Sequence, residues 1–119
     1  SIENAQLHEQ ILESKLVEQD LNHARMVQLA FVPNSPLTLH GYGCFHYYNP
    51  MQQVGGDYFD YIQLPDGKIA IVVADVTGHG IAAAMFMAKV SAETRFALGS
   101  EDDPARAITL LNRRLARLM

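Results

Sequence analysis

Hydrophobic and polar positions along the chain fall into three regimes. From Ile2 to about Phe31 there is no Gly or Pro, and the run is rich in Glu, Gln, Leu and Ala, which predicts one long helix. Its apolar pattern is uneven. Val17, Leu21, Ala24, Val27 and Phe31 make one stripe at spacings of 4, 3, 3 and 4, whereas Leu7, Ile11, Leu12 and Leu16 wander around the helix. A strict heptad zipper is not supported. The pattern predicts a helical linker that packs on the following domain and pairs with a second copy of the chain.

Pro33-Asn34-Ser35-Pro36 ends the helix, because proline lacks the amide donor and restricts the residue before it. Strand-favouring residues follow at Thr38–Tyr48 and Tyr58–Leu64. The turn Pro65-Asp66-Gly67-Lys68 then predicts an antiparallel hairpin into Lys68–Ala74. Residues Ile69–Ala74 are continuously apolar, which predicts a central strand covered on both faces. The third regime is small and apolar from Ile81 through Leu98, a helix suited to close packing on a sheet, with Gly99 placed to end it. Asp103 and Pro104 supply an N-cap and a first-turn proline for a last helix, Ala105 to about Leu118. Strands grouped before helices argue for α+β rather than alternating βαβ units.

Composition narrows the function classes. At 119 residues the chain suits one modest core, and 49% apolar with 18% charged residues is ordinary for a folded domain. Nine basic against thirteen acidic residues leave a net charge of −4, which argues against a general nucleic-acid or anionic-membrane surface. Arg106, Arg113, Arg114 and Arg117 form a local basic run, read as a solvated helix face. The single cysteine, Cys44, cannot close an internal disulfide, fits a reducing compartment and reads as a small buried residue. No apolar run is long enough to span a membrane and no signal-peptide layout opens the chain, so a cytoplasmic location is expected.

The strongest chemical signal is Val54-Gly55-Gly56-Asp57-Tyr58-Phe59-Asp60 paired with Ala74-Asp75-Val76-Thr77-Gly78-His79-Gly80. Each puts a carboxylate at a strand end beside glycines. If the two strands are joined by the Pro65–Lys68 turn, Asp57 and Asp75 meet at one sheet edge. Close carboxylates repel, and a hard divalent cation such as Mg²⁺ or Mn²⁺ removes that penalty. Glycines let a backbone carbonyl, such as that of Val76, approach the ion. Two such ions can activate a water and clamp a phosphoryl group, so hydrolysis needs no protein nucleophile. The alternative for either motif alone is a glycine-rich turn in which Asp57 or Asp75 caps local backbone.

With Leu21, Ala24, Val27-Gln28 and Pro33, the stretches VGGDYFD at 54–60, PDGK at 65–68 and ADVTGHGIAAAMFMA at 74–88 resemble the SpoIIE/RsbU-type branch of the PPM (PP2C-like) serine/threonine phosphatases. The resemblance runs over roughly residues 17–119, about the first half of such a domain. It implies part of an αββα sandwich over 33–119, preceded by a linker helix over 1–32 that takes an upstream sensory input. It further implies two Mn²⁺ or Mg²⁺ ions and a bacterial phosphoserine or phosphothreonine substrate, commonly an anti-anti-sigma (STAS) protein in partner switching. On this reading Asp75 is the bridging metal ligand, Val76 gives a backbone carbonyl, and Asp57 reaches a metal directly or through water; Asp57 and Asp75 are the catalytic pair. Asp60 stands open between a site role and an exposed strand acid. His79 is read as loop geometry rather than as a catalytic acid.

Two departures from the family pattern stand out. Gln52 and Gln53 lie where eukaryotic relatives have a phosphate-gripping Arg, and no DG or GD pair follows Gly80 to supply further metal ligands. The expectation is therefore an incomplete site with low activity of its own. A noncatalytic phosphatase-like interaction or dimerisation module is the other reading. A receiver domain fits poorly, because the chain opens on a long polar helix and shows no early acidic pair. Haloacid-type phosphatases need an Asp where Thr77 stands, and a cysteine phosphatase needs an Arg where Pro50 stands.

Overall fold

The computed structural model describes residues 1–49 and 54–118. Seven elements follow in order: α1 (Ile2–Leu29), β1 (Leu37–Leu39), β2 (Tyr42–Cys44), β3 (Asp57–Gln63), β4 (Ile69–Asp75), α2 (Gly80–Ser100) and α3 (Pro104–Ala116). The chain is α+β, with β1–β2 and β3–β4 as two separate antiparallel hairpins.

Helix α1 starts at Ser1, whose hydroxyl accepts from the Asn4 amide at 3.2 Å, and ends at Leu29, ahead of Pro33. Its first turns are exposed throughout, and only its C-terminal end packs on the domain. Of the predicted stripe, Leu21, Ala24 and Phe31 are half-buried while Val17 and Val27 stay exposed, so the stripe seats only in part.

The single strand expected over Thr38–Tyr48 is instead the tight hairpin β1–β2. Leu39 pairs with Tyr42 across His40-Gly41, and Gly41 takes a left-handed φ of 83° that breaks the extended run. The second hairpin forms as the sequence predicts. Leu64 and Lys68 close the turn through an N–H to carbonyl bond of 2.8 Å, and the Asp66 carboxylate accepts from the Lys68 amide at 3.1 Å.

Strand alternation then decides what β3 shows to each side. Tyr58, Asp60 and Ile62 are buried toward α2, while Asp57, Phe59 and Tyr61 face the other way. The core is built around Tyr58, Met87 and Val32, and the small α2 residues Ala83, Ser91 and Ala97 allow close approach. Strand β4 is not covered on both faces as its apolar run predicts. Ile71 and Val73 are 60% and 83% exposed, because β3 is its sheet neighbour and the helices lie on one face only. Cys44, expected to be buried, is half-exposed. The layering of helices on one side and an open sheet face on the other is that of part of an αββα sandwich.

Helix α2 continues through Gly99 to Ser100, where the Glu101 amide bonds the Ala97 carbonyl at 3.1 Å. Asp103 caps α3 through the Ala105 amide at 2.9 Å, with Pro104 in the first turn. Glu93 fastens the two helices together, since its carboxylate bonds Arg114 of α3 and pairs with Lys89 at 2.9 Å. Hydrogen bonds from Arg114 and then Lys89 hold the Glu93 carboxyl down to about 2, from an ordinary value of 4.5. A folded-state value below the unfolded one stabilises the fold above the ordinary carboxylate range and is lost as pH falls toward the folded value. Thermal midpoints followed from pH 5 to pH 2 should therefore fall less steeply for Glu93→Gln than for the wild type.

Candidate metal centre

The β3–β4 register places Asp57 directly opposite Asp75, with Tyr58 opposite Ala74 and Phe59 opposite Val73 behind them. Paired residues of an antiparallel ladder share a face, so both carboxylates stand on the open side, at the sheet end remote from the turn. Both residues are exposed. Burial raises the Asp57 carboxyl above its ordinary value, and a hydrogen bond with Asp75 and repulsion from its charge add to the rise. A cation between them would relieve that repulsion.

Backbone on both sides fixes this pair. The Val76 amide donates to the Gly56 carbonyl at 3.0 Å, carrying the pairing one step past the strand ends. A Cβ on Gly56 would lie 2.5 Å from the Val76 carbonyl oxygen and 3.3 Å from the Ala83 Cβ. Glycine is thus required at 56 because the Val76 carbonyl and α2 close over it. Tyr48 donates its hydroxyl proton to the Asp57 carbonyl at 2.9 Å. Gln28, buried at the end of α1, grips Gly55 at both of its backbone groups. Its Oε1 accepts from the Gly55 amide at 3.2 Å, and its Nε2 donates to the Gly55 carbonyl. Helix α1 is therefore tied to the loop that carries Asp57.

Other residues singled out in the sequence take different places. Asp60 is neither an exposed strand acid nor a neighbour of Asp57 and Asp75. It is fully buried on the helix face, where Arg95 binds it through two nitrogens at 2.8 and 2.7 Å. Tyr58 Oη donates to it at 2.5 Å and the Tyr61 amide at 2.9 Å. His79 is the extended residue ahead of α2, makes no side-chain cap bond, and sits between Gly78 and Gly80, whose φ angles are 112° and 73°. Gln52 and Gln53 lie outside the described residues. Gln28 belongs to the resemblance but carries no assigned role there, and Arg95 escapes motif reading. Their signal is a polar side chain at an inward helical phase, beside Leu21 and Ala24 in one case and in the apolar run of α2 in the other.

The donor set suits a hard divalent ion in part. Asp57 and Asp75 offer carboxylate oxygens on one face, while the Val76 carbonyl, one residue on, lies over Gly56. Among the described residues no cluster of three or more His, Cys, Asp or Glu side chains forms, so these residues supply only some of the roughly six oxygens such an ion takes. From the carboxylates a groove of about 630 Å³ runs along the open face past Phe59, Tyr61, Ile71 and Val73 to Phe45. No helix among the described residues is long and apolar enough to cross a membrane.

Residues 65–119 match the family described as Stage II sporulation protein E (SpoIIE). Protein IcfG of Synechocystis sp. is 37% identical over 68 residues, a match that takes in 57% of this chain and 11% of that protein. These likenesses, over just under half of the chain in one case and a small part of a much longer protein in the other, support a SpoIIE-type domain fragment.

Proposed function

We propose that the chain contributes the Asp57/Asp75 part of the active site of a metal-dependent protein serine/threonine phosphatase. The observation that carries this reading is the register that sets Asp57 against Asp75 at an open sheet edge. Asp75 and Asp57 would hold Mn²⁺ or Mg²⁺, two ions in the complete site, with the Val76 carbonyl as a further oxygen. Bound there, the metal supplies a water of lowered pKa and positive charge for the phosphoryl oxygens. The chain's own part is to hold the two carboxylates aligned at one edge, and a bound cation would offset the rise that burial and Asp75 impose on the Asp57 carboxyl. The β3–β4 ladder, the Val76–Gly56 bond and the Gln28 grip on Gly55 support that task.

The substrate we propose is a phosphoserine or phosphothreonine on a bacterial regulatory protein of the STAS type, in the cytoplasm, with an upstream sensory domain acting through α1. A noncatalytic interaction module is the second reading, favoured by the exposed apolar face of Ile71 and Val73. Phosphate release from a phosphoserine peptide and from a phosphorylated STAS protein, measured on the full-length protein with and without Mn²⁺, separates the two. Mn²⁺-dependent release supports the enzyme; none from either substrate, by a folded protein, supports the module.

A further inference from the structure

The exposed first turns of α1 and the outer face of α3 carry matching charge patterns. On α1, Glu9, Glu13, Leu16 and Asp20 follow at spacings of 4, 3 and 4, which puts them on one stripe of the helix. On α3 and its C-cap residue, Arg106, Leu110, Arg113 and Arg117 follow at the same spacings, 4, 3 and 4. Laid antiparallel, the two stripes meet term by term: Glu9 with Arg117, Glu13 with Arg113, Leu16 with Leu110 and Asp20 with Arg106. The apolar pair falls inside the three ion pairs. Each stripe is about 16 Å long at about 1.5 Å per residue, so the pairs stay in step over three turns.

All six charged residues are exposed, Leu16 is 61% exposed and Leu110 is half-buried. Among the described residues none of the six charges has an ion-pair partner, and α3 contains no acid between Pro104 and Ala116. Arg114, the remaining arginine of that helix, is already taken by Glu93. The match is not made within one molecule. Helix α1 is unbroken from Ile2 to Leu29 and meets α2 only at its C-terminal end, so its acidic stripe has no way to fold back onto α3.

We infer that α1 of one copy docks antiparallel on α3 of a second copy of this chain. A two-fold arrangement makes the contact twice, each copy giving one α1 and receiving the other. This differs from α1 pairing with α1, which leaves the arginine stripe unused, and it is independent of the phosphatase reading.

Sedimentation velocity on the wild type, Glu13→Arg, Arg113→Glu and an equimolar mixture of the two variants tests it, with circular dichroism confirming that each is folded. Each variant alone should associate about tenfold more weakly than the wild type, because a symmetric dimer feels each reversal twice. The mixture should recover wild-type association, since the heterodimer has one inverted pair and one native pair. Raising salt should weaken the wild type. A wild type monomeric at all concentrations overturns the inference. So does a mixture no tighter than its components, or Arg113→Glu associating like the wild type.

Discussion

Asp75→Asn in the full-length protein is expected to lower Mn²⁺-dependent phosphate release by about a thousandfold, equivalent to about 4 kcal/mol in the barrier. The amide keeps the size and the strand position of the carboxylate but removes its charge and one anionic oxygen donor. Fold and catalysis should separate in this variant. Asp75 repels Asp57 across the ladder and contributes to the raised Asp57 carboxyl, so its neutralisation relieves a like-charge contact. Without metal, the thermal midpoint of Asp75→Asn should therefore be no lower than that of the wild type, while turnover collapses. An equal loss of both would make Asp75 a structural residue and return it to the turn-capping reading.

The second large effect is on stability. Arg95→Leu should cost about 3 kcal/mol, toward the lower end of what breaking a buried ion pair costs. Asp60 is fully buried, whereas the Arg95 side chain is 55% exposed, so water screens the pair from one side only. Tyr58 and the Tyr61 amide still reach the carboxylate in the variant, which limits the loss, but neither brings a positive charge. Arg95→Leu combined with Asp60→Asn should recover more than half of the loss, because the uncompensated charge is then gone. Urea midpoints at constant slope measure both variants. A cost below about 0.5 kcal/mol for Arg95→Leu would mean that the pair behaves as a surface salt bridge.

What the sequence made legible was local or followed from a short closure. The Pro65–Lys68 turn fixes an antiparallel hairpin, and a hairpin closed there brings Asp57 and Asp75 to one edge, as the register shows. Helix ends with explicit chemistry, Asp103 and Pro104, were equally readable. Long-range information was not. Asp60 is separated from Asp57 by strand parity, and Tyr58 and Ile62 on its own phase were the available clue to burial; the partner on α2 was not. The apolar run of β4 suits a doubly covered strand, yet apolar content states what a strand can bury, not what lies over it. Thr38–Tyr48 has uniform strand propensity, and only the left-handed turn at Gly41 splits it. Of the arginines that read as a solvated face, Arg106, Arg113 and Arg117 are exposed, and only Arg114 turns to a partner, Glu93 of α2, which local spacing does not reveal.

The proposed phosphatase site requires a divalent ion held between Asp57 and Asp75. Electron paramagnetic resonance of Mn²⁺ titrated into the chain measures this without requiring turnover, because bound and free ion give different signals. Saturable Mn²⁺ binding that is lost in Asp57→Asn and in Asp75→Asn, and kept in Arg95→Leu under conditions where it is folded, is the predicted result. Binding of equal affinity in wild type and both Asp variants would contradict the account.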